Sequence, residues 1–150
     1  MPTSDTPDRA TPVSELRLPR RVQFYETDMA GVVHFSWFFR YMEEAEHALW
    51  RAAGLSVASV GAEIGWPRVS TSFEYRRPLR FEDEIEVHIR VAALNARTIR
   101  FVCTLSRAGE VVASGNMTVA CVSQRPNEPM KAIPIPTDIA ARFEVAADVR

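Results

Sequence analysis

Asp28, Gly31 and His34 are the residues whose types and spacing could do chemistry in this chain. They share the run Tyr25–Glu26–Thr27–Asp28–Met29–Ala30–Gly31–Val32–Val33–His34–Phe35, which leads into a helix-like segment, Ser36 to Gly54. A carboxylate beside a helix start meets backbone N–H groups and the positive end of the helix dipole. A carbonyl placed there would be polarised by the same donors. Asp28 could then attack that carbonyl or activate a water. The rival reading is an Asx-turn in which Asp28 serves only nearby backbone, and spacing alone favours it. Gly31 permits the positive φ of a tight turn. His34 could be a general base, a proton relay or an orienter, although a lone histidine is more often structural.

Other candidates are weaker. Glu43 sits near the boundary of the helix's apolar face, where burial would raise its pKa and suit it to acid–base work; a solvated carboxylate is the simpler reading. Arg97, near a strand start, and Lys131, in a proline-rich connection, could hold phosphates by charge, though most such cations are solvated. His47 and His88 read as exposed, and the three histidines lack metal-ligand spacing. Ser36, Ser70 and Ser72 have no nucleophile-elbow context. No glycine pattern of the nucleotide-binding kind is present.

The elements that must position these residues follow from periodicity. Ser36 is a plausible helix N-cap. Trp37, Phe38, Tyr41, Met42, Ala45, Ala48, Leu49 and Ala52 form one apolar stripe, with Arg40, Glu44, Glu46, His47 and Arg51 on the polar side. Gly54 offers a left-handed stop after about five turns. A short strand is expected over Arg20 to Tyr25. Residues 55–68 read as loop or short helix. Four strands follow, alternating at Val69–Tyr75, Ile85–Val91 and Ile99–Leu105 and running on through Val111 to Val122, with a hairpin at Ala108–Gly109–Glu110. Gly115 marks a bulge or a close approach. Thr137 could cap a short terminal helix through Phe143. Short connections favour an antiparallel sheet, with the long helix on its apolar face. The fold class is α+β. The expected organisation is a flexible tail over residues 1–19 and one domain over 20–150.

Composition narrows the function classes. The chain has 150 residues, 47% hydrophobic and 25% charged, with a net charge of −1. There is no basic excess for nucleic acid. No apolar run suits a membrane span, and the N-terminal residues have no secretory h-region, so a cytoplasmic protein is expected. Cys103 and Cys121 lie in apolar strand-like runs and read as buried free thiols.

The run Phe24 to Phe35, with Phe38, Tyr41 and Glu43 downstream, resembles the 4-hydroxybenzoyl-CoA thioesterase-like branch of the hotdog-fold acyl-CoA thioesterases. The likeness covers about residues 20–136 and rests on Thr27–Asp28, Gly31 and the helix start. It implies an antiparallel sheet wrapped around a long central helix, in a homodimer or homotetramer with sites at the dimer interface. It implies hydrolysis of an acyl-CoA, with coenzyme A as part of the substrate and no cofactor. Asp28 matches the family's carboxylate, and Phe35 the residue whose backbone N–H binds the thioester carbonyl. Tyr25, Gly31, Val32 and Glu43 fall in the substrate-binding region. Arg97 and Lys131 fall where cations meet the nucleotide phosphates. One bacterial subgroup has a tyrosine four before the carboxylate and a histidine seven after it. Here those positions are Phe24 and Phe35, and Tyr25 and His34 are each displaced by one residue. His34 followed by Phe35 looks more like members acting on aromatic acyl-CoAs, including dihydroxynaphthoyl-CoA hydrolases. Trp37, Phe38 and Trp66 could line an acyl pocket. Two rival functions remain open: an acyl-thioester hydratase or dehydratase on the same fold, and a non-enzymatic acyl-CoA-binding module.

Overall fold

A computed structural model of the chain describes residues 11–59 and 61–149. The elements in order are β1 (Glu15–Arg21), a 3-10 turn (Phe24–Glu26), α1 (Ser36–Ala52), β2 (Ile64–Gly65), β3 (Arg68–Tyr75), β4 (Glu84–Leu94), β5 (Thr98–Arg107), β6 (Glu110–Ala120), β7 (Val122–Ser123), β8 (Lys131–Ala132), α2 (Thr137–Ala140) and a second 3-10 turn (Ala147–Val149). Five strands form one antiparallel sheet in the order β1-β4-β5-β6-β3, and β2, β7 and β8 form a smaller one. The helix α1 packs against β1, β3 and β4.

The alternation read in β4 and β5 becomes the core. Ile85, Val87, Ile89 and Val91 of β4 and Phe101, Cys103 and Leu105 of β5 are buried, meeting Phe38, Tyr41, Met42, Ala45, Leu49 and Trp50 of α1. Each large side chain so buried contributes about 1.5–3 kcal/mol. This is the helix-on-sheet arrangement of the hotdog fold. Gly54 has φ +77° and ends α1 in the left-handed region, as its position suggests. Cys103 and Cys121 are buried free thiols. Gly115 marks a close approach, not a bulge: a Cβ there would lie 2.6 Å from the Phe73 ring. Phe73 is hemmed in by Phe38, Phe39 and Tyr75, so it has little room to yield.

Several expectations need correction. The first strand begins at Glu15, inside the segment read as tail, and residues 22–26 are not strand. Pro19 disguised it. A proline lacks the N–H for a second ladder, but β1 is an edge strand and pairs only with β4. Residues 1–10 lie outside the described part of the chain. Ser36 and Thr137 are the first residues of their helices, whose N-caps are Phe35 and Pro136. The strand β3 alternates in sequence, yet only Phe73 in it is half-buried. It pairs with β6 on one side and leaves its other edge open. His88 is buried, and its imidazole is held below the ordinary value by burial and by Arg17 and Arg90.

Glu46 is the largest departure from the helix reading. Helical spacing puts it on the polar face, yet it is fully buried. Its Oε1 accepts from Arg68 at 2.7 Å. Its Oε2 and the neighbouring Trp50 indole N–H make no hydrogen bond of normal geometry among the described residues. Burial lifts the Glu46 carboxyl above its ordinary value of 4.5, and Arg68 offsets this only in part. In the window above 4.5 the folded chain therefore holds a proton that the unfolded chain has released, and stability falls as pH rises through it. In Glu46→Gln that decline is expected to vanish. Thermal midpoints of both proteins, measured from pH 4.5 to neutrality, should diverge; parallel curves would reject this account.

Candidate active site

The segment between β1 and α1 builds the site, and a buried carboxylate anchors it. Glu26 is 0% exposed. It accepts from the Gln23 N–H at 2.7 Å, from two Arg20 nitrogens at 2.7 and 2.5 Å, and from the Tyr41 hydroxyl at 3.0 Å. The Arg20 guanidinium also lies over the Tyr41 ring, 4.4 Å from its centroid. This cluster pins the 3-10 turn to the side of α1.

Beyond it the chain makes a small hairpin. Thr27 pairs with Val33 across an isolated bridge. The Asp28 N–H donates to the Val32 carbonyl and the Gly31 N–H to the Asp28 carbonyl, both at 2.9 Å. Gly31 has φ +77°, the conformation expected of it. The Ala30 N–H donates to Asp28 Oδ1 at 2.8 Å. The Asx-turn is thus real, and it uses only one carboxylate oxygen. Oδ2 has no hydrogen bond among the described residues.

Asp28 lines a cavity of about 390 Å³ together with Val32, Val33, Phe35, Phe38, Tyr75, Arg76, Arg77 and Pro78. The cavity sits at the N-terminal end of α1. Phe35 is the N-cap, and no side-chain hydroxyl or carboxylate caps the helix there. The Trp37 N–H donates to the His34 carbonyl at 3.0 Å. The Ser36 N–H reaches His34 Nδ1 at 3.3 Å. The Phe35 N–H has no acceptor among the described residues and is the open donor of this helix end. The Tyr75 hydroxyl donates to the Phe35 carbonyl at 3.1 Å, tying the end of β3 to the start of α1. Phe38 and Tyr75 meet edge to face at 4.9 Å and make one aromatic wall.

The structure therefore joins Asp28, Val32 and Phe35 in one cavity, with Gly31 in the turn that presents them. The other candidates lie elsewhere. Tyr25 is exposed and packs on Trp37. Glu43 pairs with Arg40 and Arg68 beside a separate surface hollow. Arg97 is exposed in the β4–β5 turn. Lys131, with Trp66 and Arg125, lines a cavity of about 1040 Å³ that includes Gly54, at the far end of α1. A helix of 17 residues spans about 25 Å, so one chain does not bring Lys131 to Asp28. Sequence reasoning missed Tyr75 and Arg76. The guanidinium of Arg76 is unpaired among the described residues, whereas Arg77 pairs with Glu110. The pair Arg76–Arg77 before Pro78, at a strand end, was the available signal. Among the described residues no cluster could hold a metal ion.

Residues 22–143 match the thioesterase-like superfamily. A crystal structure of a hypothetical protein from Aquifex aeolicus is 31% identical, with a TM-score of 0.79, covering 86% of this chain and 99% of that one. A 1,4-dihydroxy-2-naphthoyl-CoA hydrolase from Synechococcus elongatus is 25% identical over 91% of this chain and 100% of its own length. A crystal structure of a 4-hydroxybenzoyl-CoA thioesterase variant, complexed with 4-hydroxybenzoyl-CoA, shares the fold at a TM-score of 0.78 and 17% identity, covering 88% and 100% of the two chains.

Proposed function

The chain belongs to the thioesterase-like superfamily, and from that premise we propose that it hydrolyses an acyl-CoA to a free acid and coenzyme A. One observation carries the proposal: Asp28, with one carboxylate oxygen free among the described residues, and Phe35, whose helix-terminal N–H is unbonded among them, line the same cavity. The thioester carbonyl takes the Phe35 N–H. Asp28 either attacks the carbonyl carbon, forming an anhydride that water then opens, or removes a proton from an attacking water. The C–S bond breaks, and the thiolate leaves and takes up a proton. The Phe35 donor and the helix dipole stabilise the oxyanion; losing such a donor costs about 2.7–4 kcal/mol in the transition state.

The wall of Phe35, Phe38 and Tyr75 suits an aromatic acyl group, in keeping with the aromatic substrates named for two similar proteins. Arg76 offers a cation, unpaired among the described residues, at the cavity for the anionic substrate. A homodimer or homotetramer is part of the proposal, supported by the open edge of β3 with Val69 60% and Tyr75 46% exposed. Arg97 and Lys131 would then meet nucleotide phosphates at another subunit's site. A cytoplasmic location fits the two unpaired thiols, and among the described residues no helix is long and apolar enough to cross a membrane.

Free-thiol release from short, long and aromatic acyl-CoAs tests the reading. Turnover is expected, fastest with aromatic acyl groups. Turnover of none would reject the enzyme and leave acyl-CoA binding to be measured. A hydratase would instead change the acyl chain without releasing thiol.

A further inference from the structure

We propose that His34 is a positioning residue that works as a neutral imidazole: its Nδ1 caps α1 and so leaves the Phe35 N–H as the free donor for the substrate. The proposal rests on the thioesterase reading above.

The hydrogen bonds assign the tautomer. The Ser36 N–H reaches His34 Nδ1 at 3.3 Å, and the Ser36 hydroxyl lies 2.7 Å from the same atom. A backbone N–H can only donate, so Nδ1 carries a lone pair and the neutral ring holds its proton on Nε2. The rest of His34 is equally committed. Its own N–H donates to the Glu26 carbonyl at 2.9 Å, and its carbonyl accepts from Trp37. The first amides of α1 are thereby sorted: Ser36 to the imidazole, Trp37 to the His34 carbonyl, Phe35 to no acceptor among the described residues. The imidazole also lies 4.4 Å from the Phe35 ring, so one side chain braces both the residue that carries the open donor and the residue after it. His34 does not line the Asp28 cavity. To serve as a base through Nδ1 it would have to break both Ser36 contacts as it took the proton.

The titratable and charged groups around it are otherwise engaged. Glu26 faces Arg20 and Tyr41, Asp28 faces its own turn, Arg80 reaches the Gly31 carbonyl, and Tyr75 serves the Phe35 carbonyl. Among the described residues none makes an ion pair with His34.

His34→Asn and His34→Ala separate a cap from a base. Asparagine places an acceptor at a similar reach and caps helices well, but it cannot exchange a proton near neutral pH. His34→Ala is expected to lose about 10²–10³-fold in kcat, the cost of a misplaced oxyanion donor, with KM little changed. His34→Asn should recover most of that loss. An Asn variant as inactive as the Ala variant, with both melting like wild type, would make His34 a proton carrier and overturn the proposal. Full activity in His34→Ala would overturn it as well. Nitrogen-15 NMR of the wild-type imidazole tests the cap even if the variants unfold: the Nε2–H tautomer is expected, and the Nδ1–H tautomer rejects the cap. Failure of wild type on every acyl-CoA is a separate result and strikes the thioesterase reading instead.

Discussion

Asp28→Asn is expected to lower kcat on the best acyl-CoA by about 10²–10⁴-fold, the usual contribution of a positioned acid–base group. The substitution is informative because Asp28 holds two roles that asparagine separates. Oδ1 accepts the Ala30 N–H at 2.8 Å and shapes the turn. An asparagine amide oxygen accepts the same bond, so the turn, the Gly31 conformation and the cavity are retained. The free carboxylate oxygen is replaced by an amide nitrogen that can neither attack a carbonyl nor take a proton from water. KM and the thermal midpoint should therefore stay close to wild type while kcat collapses. If the turn were Asp28's whole purpose, Asp28→Asn would remain active, and the assignment of the site would fail. Asp28→Ala adds the loss of the turn bond, worth about 1 kcal/mol of stability. A burst of thiol release in wild type would mark the nucleophile route over the general-base route.

Glu26→Ala is expected to cost about 3–5 kcal/mol of stability, the range seen when one partner of a buried ion pair is removed. Arg20 has a side chain only 14% exposed, and Glu26 is its fully buried partner. Burial works against the Arg20 charge, but the hydrogen bonds from Glu26 and Glu44 more than compensate, holding the guanidinium pKa above its ordinary value. Without Glu26 the Arg20 charge keeps only the half-exposed Glu44. The Tyr41 hydroxyl, already pushed up by burial and by the Glu26 charge, loses its acceptor. A drop in thermal midpoint of about 6–20 °C should follow for a chain of this size. The Gln23 N–H is freed at the same time, so the Asp28 hairpin should loosen and activity should fall with stability. The paired change of Arg20 to Met with Glu26 to Leu removes both charges together and is expected to be milder than Glu26→Ala alone. A Glu26→Ala protein that melts within about 2 °C of wild type, on the order of 1 kcal/mol or less, would show that the cluster does not anchor the loop.

These two carboxylates, two positions apart, show how unevenly the sequence discloses the molecule. Asp28 was legible as a candidate because its signals are local: a turn glycine three residues on and a helix start just beyond. Glu26 carried no such signal. Its weight comes from Arg20 on β1 and Tyr41 on α1, which meet it only after the chain folds back. The same contrast separates Glu46 from its neighbours on α1. Helical spacing places it on the polar side, and only the arrival of Arg68 from β3 supplies the partner with which a carboxylate is buried there.

By itself, the sequence determined the helix, the four long strands, the left-handed turns at Gly31 and Gly54, and the carboxylate at the donor end of α1. Each depends on side-chain periodicity or on a φ that glycine allows, and both are properties of neighbouring residues. Only the tertiary structure decided which helix N–H stays open, which aromatic residues wall the cavity, and that Glu43, Arg97 and Lys131 lie apart from Asp28 in a single chain. Tyr75 reaches Phe35 from forty residues away because β3 crosses the sheet to pair with β6 beside α1. No local pattern encodes that contact; it exists because closing the sheet around one apolar helix leaves β3 at that edge.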